Sequence, residues 1–349
     1  MQALDLTTLD RFLDGQVDIR RRPDAVQPLR YPFADQYFVD PFTRYVASCT
    51  SGVRLRLRTD ARSLVVHSTQ RSLGGPEPRP ASYELYVDGK LYARAAAEGG
   101  ALLQPEGGVF GDERATLAFH DLPAGEKQIE LWLPLGATVS ITGIEVEDGA
   151  TVAPWPDDRR RVIFHGSSIS HCMEAEGGSG SWPAVAAGLA NLRLLNLGYG
   201  GSCLLSGLTA RVIRDQPADG IVLKLGINVH GEGQLKERTF LDSAHSMISI
   251  IRETHAQTPL MIVSPIWSPP REDESSGGGL SLRRMRELLE GVVQARQRSG
   301  DAHIRYLSGL ELFDEQDRAD LPDELHPNPA GYRRMGERFH AKVLSKGWL

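Results

Sequence analysis

The stretch RVIFHGSSIS, residues 161–170, decides the fold of the second half of this chain. Its first four residues are typical of a short buried strand, and the glycine and serines that follow are typical of a turn into a helix. From here to the C-terminus short apolar runs alternate with helical patterns. This alternation predicts a parallel β-sheet that is covered by helices on both faces, which is an α/β fold.

The boundaries of these elements follow from the apolar runs, the turn residues and candidate helix caps such as Ser181. We predict strands at 161–164, 194–197, 220–225, 259–263 and 303–307, and helices at 182–192, 204–215, 236–255, 282–298 and 330–345. In a doubly wound sheet of this kind, ligands bind outside the carboxyl ends of the strands. We therefore expect the chemistry to lie in the loops that directly follow the strands.

The first 150 residues have a different pattern. VRLRLR at 53–58 alternates strictly, and SYELYV at 82–87 runs into Asp88-Gly89, a strong hairpin signal. Many short strands without a long helix predict an all-β sandwich of the jelly-roll type. We predict a β-sandwich domain at 1–150, a linker at 151–160 and a doubly wound α/β domain at 161–349.

Composition limits the classes of partner. The 349 residues suit two domains, and a net charge of −6 argues against nucleic acid as the main partner. No apolar run is long enough to span a bilayer, and no secretory signal is recognisable, so we expect no membrane association. The cysteines Cys49, Cys172 and Cys203 form no CxxC pair and no disulfide framework, which favours a cytoplasmic setting.

Two distant segments carry residue types that suit nucleophilic catalysis. Ser168 follows the first strand of the α/β half, where its hydroxyl can point into the crevice. Near the C-terminus, Asp323 stands three residues before His326, a spacing that lets the carboxylate reach Nδ1 of the imidazole. Taken alone, the Ser168 segment could be an ordinary turn marked by serine and glycine. The Asp323–His326 segment, taken alone, could be a solvated acidic turn.

Two further loops offer hydrogen-bond donors. NLGYGGS at 196–202 and LGINV at 225–229 each leave the carboxyl end of a predicted strand. The N–H of Gly201 and the side-chain amide of Asn228 are donors of the kind that an oxyanion hole needs. A dinucleotide site is excluded, because the third glycine of its fingerprint falls at Cys203.

Four segments, taken in chain order, resemble the blocks of the SGNH/GDSL hydrolase superfamily: 166–168, the glycine block ending at Gly201, 226–228 and 323–326. The resemblance covers about residues 161–340 and implies that Ser168 is the nucleophile, His326 the base and Asp323 its orienting partner. It also implies an oxyanion hole made of the N–H groups of Ser168 and Gly201 and the amide of Asn228. SYELYV at 82–87 resembles the Gly-x-Asp-Leu-Tyr signature of a β-rich module that precedes some SGNH hydrolases.

Two positions depart from the superfamily pattern. Ser167 stands where Asp is usual, and Val229 where Asp often follows the Asn. Neither position is a triad member, so we expect altered loop support rather than lost activity. An α/β-hydrolase nucleophile elbow is disfavoured, because it would need a glycine at Ser170.

The resemblance implies a serine esterase that hydrolyses a short acyl ester, with acetyl on a carbohydrate as the first candidate, and that uses no cofactor. An acyltransferase or thioesterase with the same triad remains open. So does a catalytically inactive protein whose β-sandwich binds a glycan. The sequence leaves open whether the β-domain shapes the substrate entrance, binds carbohydrate or forms a homo-oligomer.

Other residues near the predicted site receive weaker assignments. Trp267, in the loop after the fourth strand, is a candidate pocket wall, and His230 and His165 are candidate substrate contacts. A metal site would need further ligands at suitable spacing, and none can be assembled.

Overall fold

Residues 1–73, 81–104, 108–233, 235–275 and 277–349 are described by the computed structural model of this chain. The chain divides into two compact units. Unit 1 comprises Met1–Asp158 and Glu176–Ser179, and unit 2 comprises Arg159–Ala175 and Gly180–Leu349.

Most of the regular secondary structure of unit 1 is β-strand, as the alternating runs predict, and short 3-10 helices lie at Leu6–Phe12 and Gln36–Phe38. The α-helix α1 begins at Pro41, where Asp40 caps it by accepting the N–H groups of Phe42 and Thr43, and ends at Ser48. The strands of unit 1 are β1 (Gln2–Ala3), β2 (Leu13–Asp14), β3 (Asp18–Arg22), β4 (Ala25–Leu29), β5 (Arg54–Thr59), β6 (Leu64–Leu73), β7 (Ser82–Val87), β8 (Lys90–Ala96), β9 (Glu98–Gly99), β10 (Ala101–Leu103), β11 (Val109–Phe110), β12 (Arg114–Phe119), β13 (Lys127–Trp132), β14 (Ala137–Val146) and β15 (Val152–Pro154).

These strands form two sheets. The nine-stranded sheet has the order β11-β10-β6-β14-β4-β3, with β1 on β14, β12 on β6 and β9 on β12. The six-stranded sheet has the order β15-β5-β13-β7-β8, with β2 on β5. Val66 and Ile141 of the first sheet share one buried core with Leu55 and Leu131 of the second. Unit 1 is therefore a β-sandwich, and the strand pairs within its described residues are antiparallel except β10 with β6.

The segment predicted as a linker, 151–160, is ordered for most of its length. Strand β15 pairs with β5, and the buried Asp157 lies 3.2 Å from the guanidinium of Arg56. That guanidinium also stacks 3.9 Å from the ring centroid of Trp155. The ion pair and the stacking fix the residues that follow β15 within unit 1.

Unit 1 also includes the short segment Glu176–Ser179, which comes from further along the chain. The fully buried carboxylate of Glu84 accepts the backbone N–H of Ser179 at 2.7 Å and pairs with Arg94 at 2.8 Å. A Cβ at Gly177 would meet the Glu84 carboxyl carbon at 2.4 Å, so only glycine allows this approach. Sequence patterns cannot reveal such a pairing between residues about a hundred positions apart.

Unit 2 alternates strands and helices. The strands are β16 (Arg161–Gly166), β17 (Arg193–Gly198), β18 (Gly220–Lys224), β19 (Leu260–Val263) and β20 (Ile304–Leu307). The helices are α2 (Ser168–His171), α3 (Trp182–Leu189), α4 (Gly207–Arg214), α5 (Ile227–Glu232), α6 (Glu237–Arg252), α7 (Leu282–Arg298) and α8 (Pro329–Lys342). The short helices α2 and α5 are absent from the sequence prediction, because four to six residues are too few to show a helical period.

The five strands of unit 2 form one parallel sheet with the order β17-β16-β18-β19-β20. Strand order reverses at β16, so the crevice beside its carboxyl end is the place where such sheets bind ligands. The rings of Phe164, Trp182 and Phe339 pack edge to face 5.0–5.5 Å apart and join β16 to α3 and α8. Within the ranges that the structure describes, no helix is long and apolar enough to cross a membrane.

The side chain of Lys224 lies inside this core. Lys224, the last residue of β18, is 1% exposed, and burial lowers its pKa from 10.5 to about 8. Between about pH 8 and pH 10.5 the unfolded chain therefore binds more protons than the folded chain, so stability rises with pH across this window. The cost of burying the charge is fully present below pH 8 and vanishes as the pH rises to 10.5.

We expect Lys224→Met to stabilise unit 2 at pH 7 by up to about 3 kcal/mol, because Met keeps the volume and removes the charge. The gain should shrink to near zero at pH 10.5. Urea unfolding at both pH values measures it, with the exposed Lys346→Met as control. An equal gain at both pH values would show that desolvation of the charge is not its cause.

Candidate active site

The turn that follows β16 presents Ser168. Ser167 caps the short helix α2, because its hydroxyl accepts the N–H of Ile169 at 3.2 Å. Cys172 ends the helix in a left-handed conformation, φ +63°, and its N–H bonds to the carbonyl of Ser168 at 2.7 Å. Both ends of the helix are thus closed within six residues, which holds the Ser168 hydroxyl at the carboxyl end of β16.

The Ser168 hydroxyl begins a chain of hydrogen bonds. Its Oγ lies 2.8 Å from Nε2 of His326, and Nδ1 of His326 lies 2.6 Å from Oδ2 of Asp323. The other carboxylate oxygen of Asp323 accepts the backbone N–H of His326 at 2.6 Å. The structure therefore brings these three sequence-predicted residues together, across 158 positions of the chain. A carboxylate on Nδ1 leaves Nε2 free to take a hydroxyl proton.

The carboxylate of Asp323 is held in its charged form. Partial burial raises its pKa, but hydrogen bonds from the backbone and ring of His326 and from the N–H of Leu325 outweigh this and lower it below the usual value. Asp323 is about half exposed, whereas the ring of His326 is only 20% exposed. The negative charge can therefore stabilise an imidazolium that forms next to it.

A buried amide fixes the glycine loop after β17 against the Ser168 turn. Asn196 donates to the carbonyl of Ser170 at 2.9 Å and accepts the N–H of Gly198 at 2.9 Å. A Cβ at Gly198 would lie 2.4 Å from the backbone N of His171, so the loop approaches as only glycine can. The sequence indicated the glycine block but no role for Asn196. A polar residue inside the apolar run LLNL, at 194–197, is the signal that could have revealed that role.

The predicted donor Gly201 lies on this loop, and Asn228 lies in the first turn of α5, which follows β18. A Cβ on Gly200 would be 3.5 Å from the Cα of Ser168, and Gly201 has a left-handed φ of +71°. Oδ1 of Asn228 accepts the N–H of Cys203 at 3.0 Å, which ties the two loops together. With its oxygen so engaged, the Asn228 amide has its NH₂ end left to donate.

The three residues predicted from the sequence as substrate contacts or a pocket wall make other interactions in the structure. His165 is 1% exposed; its Nδ1 lies 2.7 Å from the carbonyl of Leu197, and burial lowers its pKa to about 4. His230 is buried with Nε2 3.1 Å from the carbonyl of Glu274. Trp267 is half-buried, 6.0 Å from the guanidinium of Arg318. Among the described residues, no hydrogen bond or ring contact joins any of the three to the Ser168–His326–Asp323 chain.

The loop after β19 holds the segment that carries Asp323 and His326. The buried hydroxyl of Ser268 donates to the carbonyl of Glu324 at 2.6 Å, and Arg271 donates to the same oxygen at 3.1 Å. Glu324 has a left-handed φ of +60°, a conformation that costs energy outside glycine and needs outside support. No local sequence signal indicates Ser268, because its partner lies 56 residues away.

We expect Ser268→Ala to lower the kcat of ester turnover roughly three- to tenfold with little change in KM, because one hydrogen bond supporting the catalytic loop is lost while Arg271 remains. Steady-state kinetics measure it. Ser345→Ala is the matched control, since that hydroxyl also donates to a backbone carbonyl, at 3.0 Å, but on the C-terminal segment. A loss that appears only in KM would contradict a positioning role.

Metal-ligating side chains and thiols are the other reactive groups to consider. Within the described ranges, no group of three or more His, Cys, Asp or Glu side chains is arranged to hold a metal ion. Cys49, Cys172 and Cys203 are free and buried, and burial raises the pKa of Cys203 to about 12. These thiols are therefore poor nucleophiles, and the hydroxyl of Ser168 is the group that the geometry activates.

Comparison with known proteins finds a family match and similar solved structures. Residues 164–334 match the GDSL-like lipase/acylhydrolase family. No curated protein matches the chain. Among solved structures, the salicylyl-acyltransferase SsfX3 from a tetracycline biosynthetic pathway is 29% identical, with a TM-score of 0.85, and the match covers 96% of this chain and 94% of that one.

Two further solved structures share the fold at lower identity. A GDSL-like protein from Bacteroides ovatus ATCC 8483 is 17% identical with a TM-score of 0.76, covering 96% of this chain and 95% of that chain. A family two carbohydrate esterase from Clostridium thermocellum is 16% identical with a TM-score of 0.67, covering 97% and 100%. Each covers both units of the present chain.

Proposed function

We propose that this protein, whose unit 2 is a GDSL-like lipase/acylhydrolase domain, is a serine esterase that works through an acyl-enzyme. A domain of this kind is an SGNH hydrolase that acts on ester bonds. Ser168 is the nucleophile, His326 the general base and Asp323 its orienting partner. The observation that carries the proposal is the continuous hydrogen-bond chain from Ser168 Oγ through His326 to Asp323.

The proposed reaction has two halves. Ser168 Oγ attacks the ester carbonyl while Nε2 of His326 takes the hydroxyl proton, and the resulting imidazolium is stabilised by Asp323. When the tetrahedral intermediate collapses, His326 returns the proton to the departing alcohol, and the acyl group stays on Ser168. Water then attacks the acyl-enzyme with His326 again as base, which releases the acid and restores the hydroxyl.

The developing oxyanion needs donors that are already in place. We assign this role to the backbone N–H groups of Ser168 and Gly201 and to the NH₂ of Asn228. The bond from the N–H of Cys203 to Asn228 supports the assignment, because it fixes the orientation of that amide. Removing one such donor costs about 3 kcal/mol, or 10²- to 10³-fold in kcat, in enzymes of this type.

We propose a short acyl ester as the substrate, with acetyl on a carbohydrate as the first candidate. This chain shares its fold with a family two carbohydrate esterase, and the name of that protein makes a carbohydrate ester the first substrate class to test. The open position of Asp323, 53% exposed, fits a polar alcohol component that keeps contact with water.

A second candidate is acyl transfer to an acceptor other than water. The similarity to a salicylyl-acyltransferase, at 29% identity along nearly the whole chain, favours it. The same acyl-enzyme serves both outcomes, so the difference lies in which nucleophile reaches the acyl group. Measuring how the acyl group partitions between water and added alcohols or sugars separates hydrolase from transferase.

The deciding experiment is an activity screen over acetylated sugars, p-nitrophenyl esters of increasing length and acyl-thioesters, with Ser168→Ala as the blank. We expect turnover of short esters and a stoichiometric phosphonate adduct in the wild type only. If the wild type gives neither adduct nor turnover of p-nitrophenyl acetate, the catalytic proposal is wrong and a glycan-binding role takes its place.

A further inference from the structure

Unit 1 has a groove of about 340 Å³ on the outer face of its nine-stranded sheet. Thr69 pairs with Ser140 and Arg71 with Thr138 across β6 and β14. Because side chains alternate between the two faces of a strand and the neighbouring Val139 and Ile141 lie in the core, these polar groups point away from it. The lining residues used below, together called the basic groove, are Arg20, Arg22, Gln27, Arg44, Arg71 and Ser140.

Positive charge collects in the basic groove although the whole chain carries −6. Four arginines line it against one carboxylate, Glu113. Among the described residues only Arg71 has a carboxylate partner, Glu113 at 2.7 Å. The Nε of Arg44 is buried and lacks a hydrogen-bond partner, again within the described ranges. A buried, unpartnered donor is costly, so a bound anion would relieve it.

Exposed aromatic rings adjoin the basic groove. Tyr37 and Phe38 are about 70% exposed, and the Tyr37 ring lies 5.5 Å from the guanidinium of Arg44. Phe42, at the start of α1, is 51% exposed. Large exposed rings beside a polar groove mark a binding surface, and the C–H faces of sugar rings pack well against them.

We propose that the basic groove binds an acidic oligosaccharide. Carboxylates of its uronic acid units pair with Arg22 and Arg44, and its hydroxyls bond to Gln27 and Ser140, while ring faces pack on Tyr37. The volume lies within the roughly 300–1,000 Å³ of ordinary ligand sites. A nucleic acid fits less well, because the chain has an overall negative charge and most of the lining groups are uncharged.

Calorimetry on the full-length Ser168→Ala protein tests this binding without turnover, so its result is independent of the proposed esterase function. The probes are trigalacturonate, neutral cellotriose and a short single-stranded DNA. We expect trigalacturonate alone to bind, with affinity falling at least tenfold in Arg22→Ala and in Arg44→Ala and falling with added salt. The exposed Arg58→Ala, on the six-stranded sheet, should bind like its parent.

Arg22 is exposed, so its replacement should leave folding unchanged, and thermal unfolding of each variant checks this. Equal affinity for cellotriose would overturn the proposal in favour of a neutral glycan site. Tighter binding of DNA would overturn it in favour of a nucleic acid site. Absence of trigalacturonate binding at millimolar concentration would also overturn it.

Discussion

Ser168→Ala is expected to lower the kcat for p-nitrophenyl acetate by roughly 10⁴- to 10⁶-fold, because loss of the nucleophile removes the acyl-enzyme route altogether. The rate acceleration that remains in the variant comes from substrate binding and from the oxyanion donors. KM should change little, since alanine takes away one oxygen at a turn whose caps, Ser167 and Cys172, are untouched. Initial-rate kinetics, with phosphonate labelling followed by mass spectrometry, measure both the rate and the acyl-enzyme.

The matched control for this variant lies two residues further on. Ser170 carries a buried hydroxyl with no hydrogen-bond partner among the described residues. Its replacement by alanine should leave kcat near the wild-type value and be neutral or slightly stabilising. If Ser170→Ala were as inactive as Ser168→Ala, the turn as a whole, rather than the Ser168 hydroxyl, would be the critical feature.

Asp323→Asn is expected to lower kcat by about 10⁴-fold while leaving the fold intact. In the wild type, the Asp323 carboxylate accepts hydrogen bonds from the ring Nδ1 and from the backbone N–H of His326, at 2.6 Å each. An amide at this position can present its NH₂ to Nδ1, which favours the wrong tautomer and places a proton on Nε2. His326 then cannot take the proton of Ser168. The pH–rate profile and kcat of the variant measure the loss.

Glu324→Gln controls for this change. Glu324 adjoins Asp323, and its contribution to the site is its backbone carbonyl, which glutamine keeps. Its side chain makes an exposed, 3.7 Å ion pair with Arg318, which is worth little. Activity should stay within about twofold of the wild type. A loss in Glu324→Gln comparable to that in Asp323→Asn would mean that net charge near the site, rather than the Asp323–His326 bond, supports catalysis.

Much of the architecture could be predicted from the sequence. The apolar runs marked all five strands of the parallel sheet to within two residues, and the helix α7 at Leu282–Arg298 matches its predicted bounds. Such elements are set by local periodicity and caps, which a linear sequence carries. The alternating runs likewise indicated the β-sandwich of unit 1, although none of its described strands before Arg54 was predicted, because two to five residues show too little alternation.

Interactions between distant residues were harder to predict. Nothing in the sequence around Ser268 indicates its bond to Glu324, and nothing around Glu84 indicates that it receives Ser179. The role of Asn196 was also missed, because a buried amide can bond to many partners. Each of these bonds depends on which loops meet after folding, and that is a property of the whole sheet and its connections.

The sequence by itself determined the types of reactive groups and their order along the chain: a hydroxyl after the first strand of unit 2, donors after the second and third, and a carboxylate and imidazole before the last helix. Tertiary structure alone decided that Oγ of Ser168 comes within 2.8 Å of the imidazole of His326. The physical reason is that a parallel sheet gathers the carboxyl ends of all its strands at one edge. Residues far apart in the chain become neighbours there, at distances that no local pattern encodes.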